Sequence, residues 1–384
     1  MQSFGRKLSI TIFTIAMAFG QLLTAQNGSD GSWEFKVKPG QELRVDLETG
    51  GTVTVKGWKQ NKVSVTARSQ WGDSDDIELD VKKTSYGVLV ATSTPFSWRE
   101  FGWGSNSPDI DFFIRVPAKF DVDLKSHGGD LNISGIEGHF EGETMGGDLE
   151  LSDLKGEIDL STMGGDIELS DASVTGRVHT MGGDVTLNNV SGGVKASTMG
   201  GDIHYKGGKN AIMSEPIRVS TMGGDITLSD VSAGGVVKTM GGDIIIKNAG
   251  KHISARTMGG DIEISALDGS VTATTMGGDV YIRMVGDVTK NAHDVELTSK
   301  GGDVTLIVPE NFSMEVDITI RFNRRRANRA RIDSDFDLTI TEEIGEDTRW
   351  SNRNTIYGKG VFSGGKHKIK ITTINGIVTL KKGR

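Results

Sequence analysis

Apolar and polar residues alternate along most of this chain in short stretches that recur at a fixed interval. In one such segment the apolar residues Ile167 and Leu169 flank polar Glu168, and a second alternating stretch leads to Val178 and Thr180. Alternation with a period of two predicts a β-strand that buries one face. Asp or Asn separates the two stretches in several repeats, as expected for a turn: Asp153, Asp171, Asn189, Asp230 and Asn248.

The interval is set by Gly-Gly-Asp, which occurs ten times between Asp130 and Asp303, eight times as Thr-Met-Gly-Gly-Asp. Successive copies are 18 residues apart, except for two spacings of 23 and 24 residues. A period this regular indicates a repeat architecture in which each unit covers the apolar face of its neighbour. Because helical segments are missing, we expect an all-β fold: a right-handed parallel β-solenoid (β-helix) with 18-residue coils and irregular terminal coils. An antiparallel sandwich is the alternative.

The two long spacings predict loops that leave the repeat between its first and second strand. The excess residues lie within 205–216 and within 284–293. Insertions in repeat proteins emerge as surface loops, which either take part in binding or are neutral decoration.

The N-terminus has the features of a secretory signal peptide. Arg6 and Lys7 precede an apolar run over residues 8–23, and Ala25 is small enough for signal-peptidase cleavage. We therefore assign residues 1–25 to a signal peptide, with a retained membrane anchor as the alternative. The mature chain is expected to be exported to the periplasm, the extracellular space or the cell surface, with no transmembrane segment after signal removal.

The remaining residues, 26–384, are expected to form one β-solenoid domain. Its predicted parts are irregular N-terminal coils (31–125) with an aromatic loop (93–108), regular Gly-Gly-Asp repeats (126–308), and C-terminal coils with a cap (309–384). Glycine is abundant at 53 residues and proline is scarce at 6, which is typical of turns rather than of collagen. The net charge of −8 argues against nucleic-acid binding. Since the chain has no cysteine, disulfides and thiolate metal sites are excluded.

In a solenoid, the aspartates of successive repeats form a column with a spacing of about 4.8 Å. Neighbouring carboxylates at that distance repel by about 1 kcal/mol in water. We expect each Asp to accept backbone N–H bonds at its corner, with no cofactor, and the Gly-Gly pair to permit close backbone approach. A calcium ladder is the alternative, with these ligands: Asp148, Asp166, Asp184, Asp225, Asp243 and Asp261.

Threonine and methionine form two further columns beside the aspartates. The threonines are expected to point inward. The leading interpretation of the eight methionines is a buried stack that fills an irregular corner. Two alternatives are an exposed apolar stripe for a partner and a ladder for a soft metal ion. His127 and Lys300 replace Met at the ends of the run, which suggests that the column borders solvent there.

The aromatic loop is the strongest candidate for a binding site. Aromatic rings beside an arginine, among Gly and Ser residues, suit contact with a carbohydrate or a protein. The alternative is a loop that folds back and caps the N-terminal coils. The candidate binding residues are Phe96, Trp98, Arg99, Phe101 and Trp103.

Several segments outside the repeats resemble those of a known bacterial family. They are Trp33-Glu34-Phe35-Lys36-Val37 with Pro39-Gly40, Val53-Thr54-Val55-Lys56-Gly57-Trp58, Ile114-Arg115-Val116-Pro117 and Thr373-Ile374-Asn375-Gly376-Ile377. They are similar to segments of secreted β-strand-repeat proteins that are regarded as candidate adhesins and related to head-GIN domains. The resemblance covers about residues 31–384 and implies an adhesin-like role without a defined biochemical activity.

The repeat pattern itself argues against catalysis. An active site needs unlike groups that converge, whereas ten equivalent aspartates are typical of a scaffold, and the seven histidines show no ligand spacing. We therefore predict a non-enzymatic, adhesin-like or cell-envelope interaction protein whose partner is a cell-surface protein or glycan. One alternative is a structural or regulatory envelope component that binds another protein. A second alternative is a carbohydrate-active β-helix enzyme.

Overall fold

The computed structural model describes residues 31–69, 77–93, 109–208, 215–286, 292–323, 329–344 and 354–383. The predicted signal peptide and the five aromatic-loop candidates lie outside these ranges. All regular secondary structure in the described residues is β-strand, 30 strands in all. The same residues contain no helix of the length and apolarity that a membrane crossing requires.

The strands fall into three groups along the chain. The N-terminal group is β1 (Gly31–Lys36), β2 (Glu42–Leu47), β3 (Val53–Trp58), β4 (Lys62–Ser69), β5 (Glu78–Lys83), β6 (Gly87–Ser93), β7 (Ile110–Pro117) and β8 (Asp121–Ser126). The central group is β9 (Leu131–Thr144), β10 (Leu149–Thr162), β11 (Ile167–Ser170), β12 (Ser173–Thr180), β13 (Val185–Asn188), β14 (Val194–Ser197), β15 (Ile203–Lys206), β16 (Ile217–Ser220), β17 (Ile226–Ser229), β18 (Gly235–Lys238), β19 (Ile244–Ile246), β20 (Ala249–Arg256), β21 (Ile262–Thr275), β22 (Val280–Met284), β23 (Val295–Ser299) and β24 (Val304–Pro309). The C-terminal group is β25 (Met314–Phe322), β26 (Arg331–Ser334), β27 (Thr339–Glu343), β28 (Asn354–Phe362), β29 (His367–Ile374) and β30 (Ile377–Gly383).

Each central repeat contributes one strand to each of two rows of strands. In the first row, β10 pairs in parallel with β11 and β11 with β13, so that Leu149, Ile167 and Val185 are in register. In the second row, the later part of β10 pairs in parallel with β12. We call the outward surfaces of these rows the first face and the second face. Apolar side chains of both rows lie in one buried core, so the expected all-β fold with parallel strands is confirmed.

Both predicted insertions fall where the spacing indicated. The first lies between β15 and β16, yet Ile203 still pairs with Ile226 across it. The second lies between β22 and β23, and Val280 still pairs with Val304. The extra residues therefore leave the parallel register of the repeats unchanged.

The two ends do not stack in chain order. Strand β2 lies between β6 and β8, and β29 lies between β23 and β25. At each end, one strand thus lies between two strands that are distant from it in the sequence. Antiparallel strands then cover the edges, β1, β4 and β5 at one end and β27 and β28 at the other. Covered edges prevent uncontrolled pairing with other chains.

The turn between the first-row and second-row strands contains a left-handed Asp or Asn in four repeats. Asp153, Asp171, Asn189 and Asp230 have φ between 51° and 60°, which Asp and Asn tolerate better than most residues. Asn248 lies in the turn between β19 and β20 as predicted, but it is not among the described residues with positive φ. Its side-chain amide still donates to Asp230 Oδ1 at 2.9 Å.

Candidate functional site

Thr-Met-Gly-Gly-Asp forms the turn that leads from a second-row strand into the first-row strand of the next repeat. We call the surface built by its successive copies the corner ridge, and the turn at the other end of each first-row strand the opposite edge. The corner ridge spans the ten Gly-Gly-Asp copies from residue 128 to residue 303.

Threonine holds each corner from the inside. Thr162 Oγ1 donates to the carbonyl oxygen of Gly147 in the preceding repeat at 2.8 Å, and it accepts from Gly165 N–H at 3.3 Å. The prediction that the threonines point inward is confirmed, because they are at most 4% exposed. Equivalent donors to the preceding corner are Thr144, Thr180, Thr198, Thr221, Thr239, Thr257, Thr275, Ser299 and Thr373.

Glycine is required at the second Gly position because the backbones of adjacent corners nearly touch there. A Cβ added at Gly224 would lie 2.1 Å from the carbonyl oxygen of Gly201, whereas one at Gly223 would lie 3.2 Å from that of Gly200. Among the ten copies, only Gly129 combines this position with a positive φ, of 91°. Close approach between repeats, rather than left-handed backbone, therefore explains the second glycine.

Aspartate completes the corner from the outside. Asp148 Oδ1 accepts from the backbone N–H of Asp166 at 2.7 Å, and the same bond joins all later copies, including Asp202 to Asp225 across the first insertion. The expectation that each Asp accepts a backbone N–H is confirmed. The donor, however, belongs to the next repeat, so the aspartates connect corners instead of closing their own. At the C-terminal end, Ile377 N–H donates to Asp303 Oδ1 at 2.9 Å.

The structure adds no support for a metal site at these carboxylates. The described part of the chain contains no group of three or more His, Asp or Glu side chains placed to hold a metal ion. One oxygen of each ladder aspartate already accepts a backbone N–H bond. The calcium ladder at Asp148, Asp166, Asp184, Asp225, Asp243 and Asp261 therefore stays an alternative that rests on the sequence alone.

The methionines form an exposed column, so the leading interpretation of a buried stack is wrong. Their exposed fractions lie between 38% and 48%. The physical reason is that alternation continues from buried Thr through Met into the corner, and the glycines do not invert it. The column comprises Met145, Met163, Met181, Met199, Met222, Met240, Met258 and Met276.

The aromatic segment joins two strands that end at the same side of the molecule as the corner ridge. Strand β6 pairs with β2 and strand β7 with β3, and the turn between β2 and β3 is the Thr49-Gly50-Gly51-Thr52 corner. Thr52 N–H donates to Asp111 Oδ1 at 2.9 Å, which extends the aspartate ladder to this repeat. Residues 94–108 therefore stand in the chain where other repeats have Gly-Gly-Asp.

A group of basic residues on the second face was missed at the sequence level. Arg177 is in register with Lys195, and Lys195 with Arg218. Lys238 and Arg256 follow on the next two repeats, where they are in register with each other. We call these five residues the basic strip. The five residues come from five successive repeats, with Lys238 two residues beyond Val236, the position in register with Arg218. Only the stacking of the repeats brings them together, so no local motif could have indicated them.

Two buried histidines also meet, although their sequence separation gave no indication. His293 and His367 have ring centroids 5.3 Å apart, and His293 Nε2 lies 3.1 Å from Asp268 Oδ1. Phe312 stacks on His367 at 5.1 Å. These contacts pack the start of β29 against the segment that leads into β23.

The features above define a class: an all-β repeat protein whose parallel strands are joined by a uniform corner. The family model Toastrack DUF4097 matches residues 23–215 and again residues 209–381. The chain therefore belongs to the Toastrack family. No curated protein is similar to it in sequence. The predicted relation to head-GIN domains stays a prediction.

Solved structures of similar chains are distant. A candidate adhesin from Parabacteroides distasonis ATCC 8503 has 11% identity and a TM-score of 0.36, over 67% of this chain and 98% of its own. A candidate adhesin from Parabacteroides merdae ATCC 43184 has 12% identity and a TM-score of 0.34, over 68% and 98%. A candidate cell adhesion protein from Clostridium sporogenes ATCC 15579 has 10% identity and a TM-score of 0.17, over 92% and 100%. At these values the family assignment rests on the sequence match alone.

Proposed function

We propose that this chain is an exported, non-catalytic, adhesin-like Toastrack protein that binds a partner at the cell envelope or cell surface through the corner ridge. In this proposal residues 26–384 form one right-handed β-solenoid with 18-residue coils, and residues 1–25 direct export. The proposal is carried by the exposed methionine column, which places eight identical apolar side chains in one row.

The burial difference between neighbouring columns supports this role. Thr221 is 4% exposed, while the adjacent Met222 is 48% exposed. Threonine accounts for the stability of the corner, so the methionine is not needed to fill it. Extended exposed apolar surface on a folded protein is usually an interaction surface, and the flexible thioether side chain adapts to varied partners.

Equivalence along the ridge favours binding over catalysis. Each repeat offers the same Met, Gly, Gly and Asp groups, so the surface can make many similar contacts in a row. Many weak, equivalent contacts act together as a multivalent interface. Neither the structural-component alternative nor the carbohydrate-active enzyme is favoured by a specific observation on the described residues.

The test is capture of partners from solubilised envelope and whole-cell surface fractions. We expect the ridge variant Met181→Ser, Met199→Ser, Met222→Ser to lose most of the captured material. A matched control removes three exposed apolar side chains elsewhere, Ile340→Ser, Ile344→Ser, Val361→Ser, which are 53%, 70% and 66% exposed. Quantitative mass spectrometry of the captured fractions compares the two. Equal capture by both variants and the native chain contradicts the proposal.

A further variant separates the ridge from the aromatic loop. It carries serine at Phe96, Trp98, Arg99, Phe101 and Trp103 and keeps all the methionines. We expect it to retain the partners captured through the ridge. If it loses every partner while the ridge variant keeps them, the binding site is the aromatic loop and the ridge proposal is wrong.

A further inference from the structure

The basic strip concentrates positive charge on a protein whose net charge is −8. Arg177, Lys195 and Arg218 occupy the same position in three successive repeats, and all three are exposed. Neighbouring rungs of a parallel sheet are about 4.8 Å apart. Like charges in adjacent register destabilise a sheet, so this arrangement needs an offsetting charge.

Within the described residues, an acidic side chain offsets the positive charge at only one end of the strip. Arg177 Nε lies 2.7 Å from Asp159 Oδ1. Lys195 and Arg218 form no ion pair with any described residue, and the connecting residues 209–214 contain no acid. The outward neighbours of the strip on the second face are mostly uncharged: Thr175, His179, Gly193, Ser197, Pro216, Ser220, Val236 and Ser254.

The same row near the C-terminal end is organised differently. There Lys370 lies in register between Glu296 and Asp317, and Lys370 Nζ lies 2.9 Å from Glu296 Oε1. In this part of the row, side chains of opposite charge therefore lie on adjacent strands and offset each other. Lys195 and Arg218 depart from this pattern, because no ion pair with a described residue offsets their charge.

A groove lies at the unpaired cations. It has a volume of about 410 Å³ and is lined by Gly176, Gly193, Lys195, Glu215, Pro216 and Arg218. These residues come from three successive repeats, so the groove follows the stacking direction of the repeats. At Gly193 the carboxylate of Glu215 lies where a Cβ would stand, 2.1 Å from that position, and the two cations line the groove beside it. Glu215 is the one acid among these lining residues.

We propose that the basic strip binds a linear anionic polysaccharide that carries repeated carboxylates and lies along the stacking direction. Lys195 and Arg218 contact successive acid groups, with Arg256 and Lys238 continuing the contact on later repeats. Ser197 and Ser220, on the same outward face, offer hydroxyl groups to sugar hydroxyls. A groove several repeats long and lined by cations fits a chain-like ligand, whereas a lipid bilayer presents a flat surface.

This inference deepens the proposed envelope-binding role but uses a different surface from the methionine column. Its probe is polygalacturonate, a carboxylated polysaccharide, measured by isothermal titration with the full mature chain at several salt concentrations. We expect binding that weakens with salt, and at least about tenfold weaker binding for Lys195→Glu, Arg218→Glu, since charged contacts to a polyanion dominate such affinities. Neutral dextran is expected not to bind.

The matched control reverses two exposed cations at the ends of first-row strands, Lys206→Glu in β15 and Lys247→Glu just after β19, with the same change in net charge. We expect this control to bind polygalacturonate as the native chain does. An equal loss in both pairs shows that only net charge matters and overturns the proposal. If the first pair fails to fold, as judged by circular dichroism, Lys195→Gln, Arg218→Gln replaces it and is expected to weaken binding in the same direction.

Two further probes exclude other anions. Phosphatidylglycerol vesicles or double-stranded DNA that bind more tightly than polygalacturonate, with the same dependence on Lys195 and Arg218, overturn the polysaccharide assignment. Lack of polygalacturonate binding at low salt overturns it as well. The ridge variant Met181→Ser, Met199→Ser, Met222→Ser is expected to keep full polygalacturonate affinity. The two proposals therefore fail independently.

Discussion

The corner ridge and the opposite edge close the same repeats in different ways. At the corner ridge, eight of the ten copies use the same five residue types, and two rows of side chains hydrogen-bond to the backbone of the neighbouring repeat. At the opposite edge, the turn contains a left-handed Asp or Asn in several repeats, and the residue type varies from one repeat to the next. Both insertions lie at the opposite edge, while the corner hydrogen bond from Asp225 to Asp202 still measures 2.7 Å.

This difference explains why one edge is uniform and the other varied. A corner that bonds to its neighbour must match that neighbour, so a change in one copy affects two repeats. At the opposite edge, side-chain bonds between neighbouring turns join only some of the repeats, such as Asn189 to Asp171 and Asn248 to Asp230, which allows insertions and changes of residue type. The uniform Thr, Gly and Asp of the corner ridge therefore reflect coupling between repeats, whereas the exposed Met side chains are left for binding.

The strongest test of this coupling is the second glycine. Gly224→Ala places a Cβ 2.1 Å from the carbonyl oxygen of Gly201, so the two repeats must separate locally. We expect a loss of about 3 kcal/mol in the free energy of unfolding, the upper range for overpacking. Gly223→Ala, with 3.2 Å to Gly200 O, is expected to cost about 1 kcal/mol or less. Equal losses in chemical denaturation of the two variants contradict close approach as the cause.

The threonine bonds predict the next largest effect. Thr221→Val keeps the shape but removes the hydroxyl that donates to Gly201 O at 2.9 Å and accepts from Gly224 N–H. We expect a loss of about 2 kcal/mol, because buried polar groups lose their partner. The control Thr227→Val changes an outward residue of the first face and is expected to stay within about 0.5 kcal/mol. Urea denaturation of both variants measures the difference.

The opposite edge predicts a pH-dependent effect. Burial, with a smaller contribution from Asp230, raises the pKa of Tyr205 from 10.0 to about 12. The unfolded chain therefore ionises this phenol first, and the stability that it contributes below pH 10 is lost as the pH rises toward 12. The expected loss is about 1–2 kcal/mol by pH 12, since one pKa unit corresponds to about 1.4 kcal/mol.

The measurement is the melting temperature of the native chain and of Tyr205→Phe between about pH 9 and pH 12. The variant gives up the bond from Tyr205 to Val190 O at 3.3 Å and is expected to be slightly less stable near neutral pH. Its melting temperature should fall less steeply above pH 10. Parallel curves for the two proteins show that Tyr205 ionises equally in both states.

The sequence predicted the strands, the parallel pairing and the positions of both insertions, because these depend on local alternation and on spacing. The leading interpretation missed that Met222 is exposed, because it assumed that the corner glycines would turn the methionine inward, whereas the alternation from buried Thr221 continues unchanged through Met222. It did not predict the order of the terminal repeats either. The placement of β2 between β6 and β8 depends on contacts between distant residues, for which Val45 and its neighbours carry no local signal.

The sequence predicted what kind of group a side chain would bond to, but not which residue would supply that group. That Asp148 accepts a backbone N–H follows from the cost of a buried donor at a turn, yet the sequence could not show that the donor is Asp166. The basic strip was missed for a related reason. Lys195 and Arg218 are 23 residues apart in the chain, and only the register makes them neighbours.

The smallest effect in the comparison of the two edges comes from the aspartate ladder, and it separates hydrogen bonding from charge. Asp202 Oδ1 accepts from Asp225 N–H at 2.7 Å, and its carboxylate lies in a row of like charges. Asp202→Ala removes the acceptor and is expected to cost about 1 kcal/mol.

Asp202→Asn keeps an acceptor oxygen while it removes one charge from the row. We expect it to match or exceed the stability of the native chain at low salt, with the difference disappearing at high salt as screening weakens the repulsion. Denaturation of both variants in about 0.01 M and 1 M salt is the measurement. If Asp202→Asn is as destabilising as Asp202→Ala, the negative charge itself strengthens the bond to the next repeat, and the uniform Asp of the corner ridge reflects charge as well as geometry.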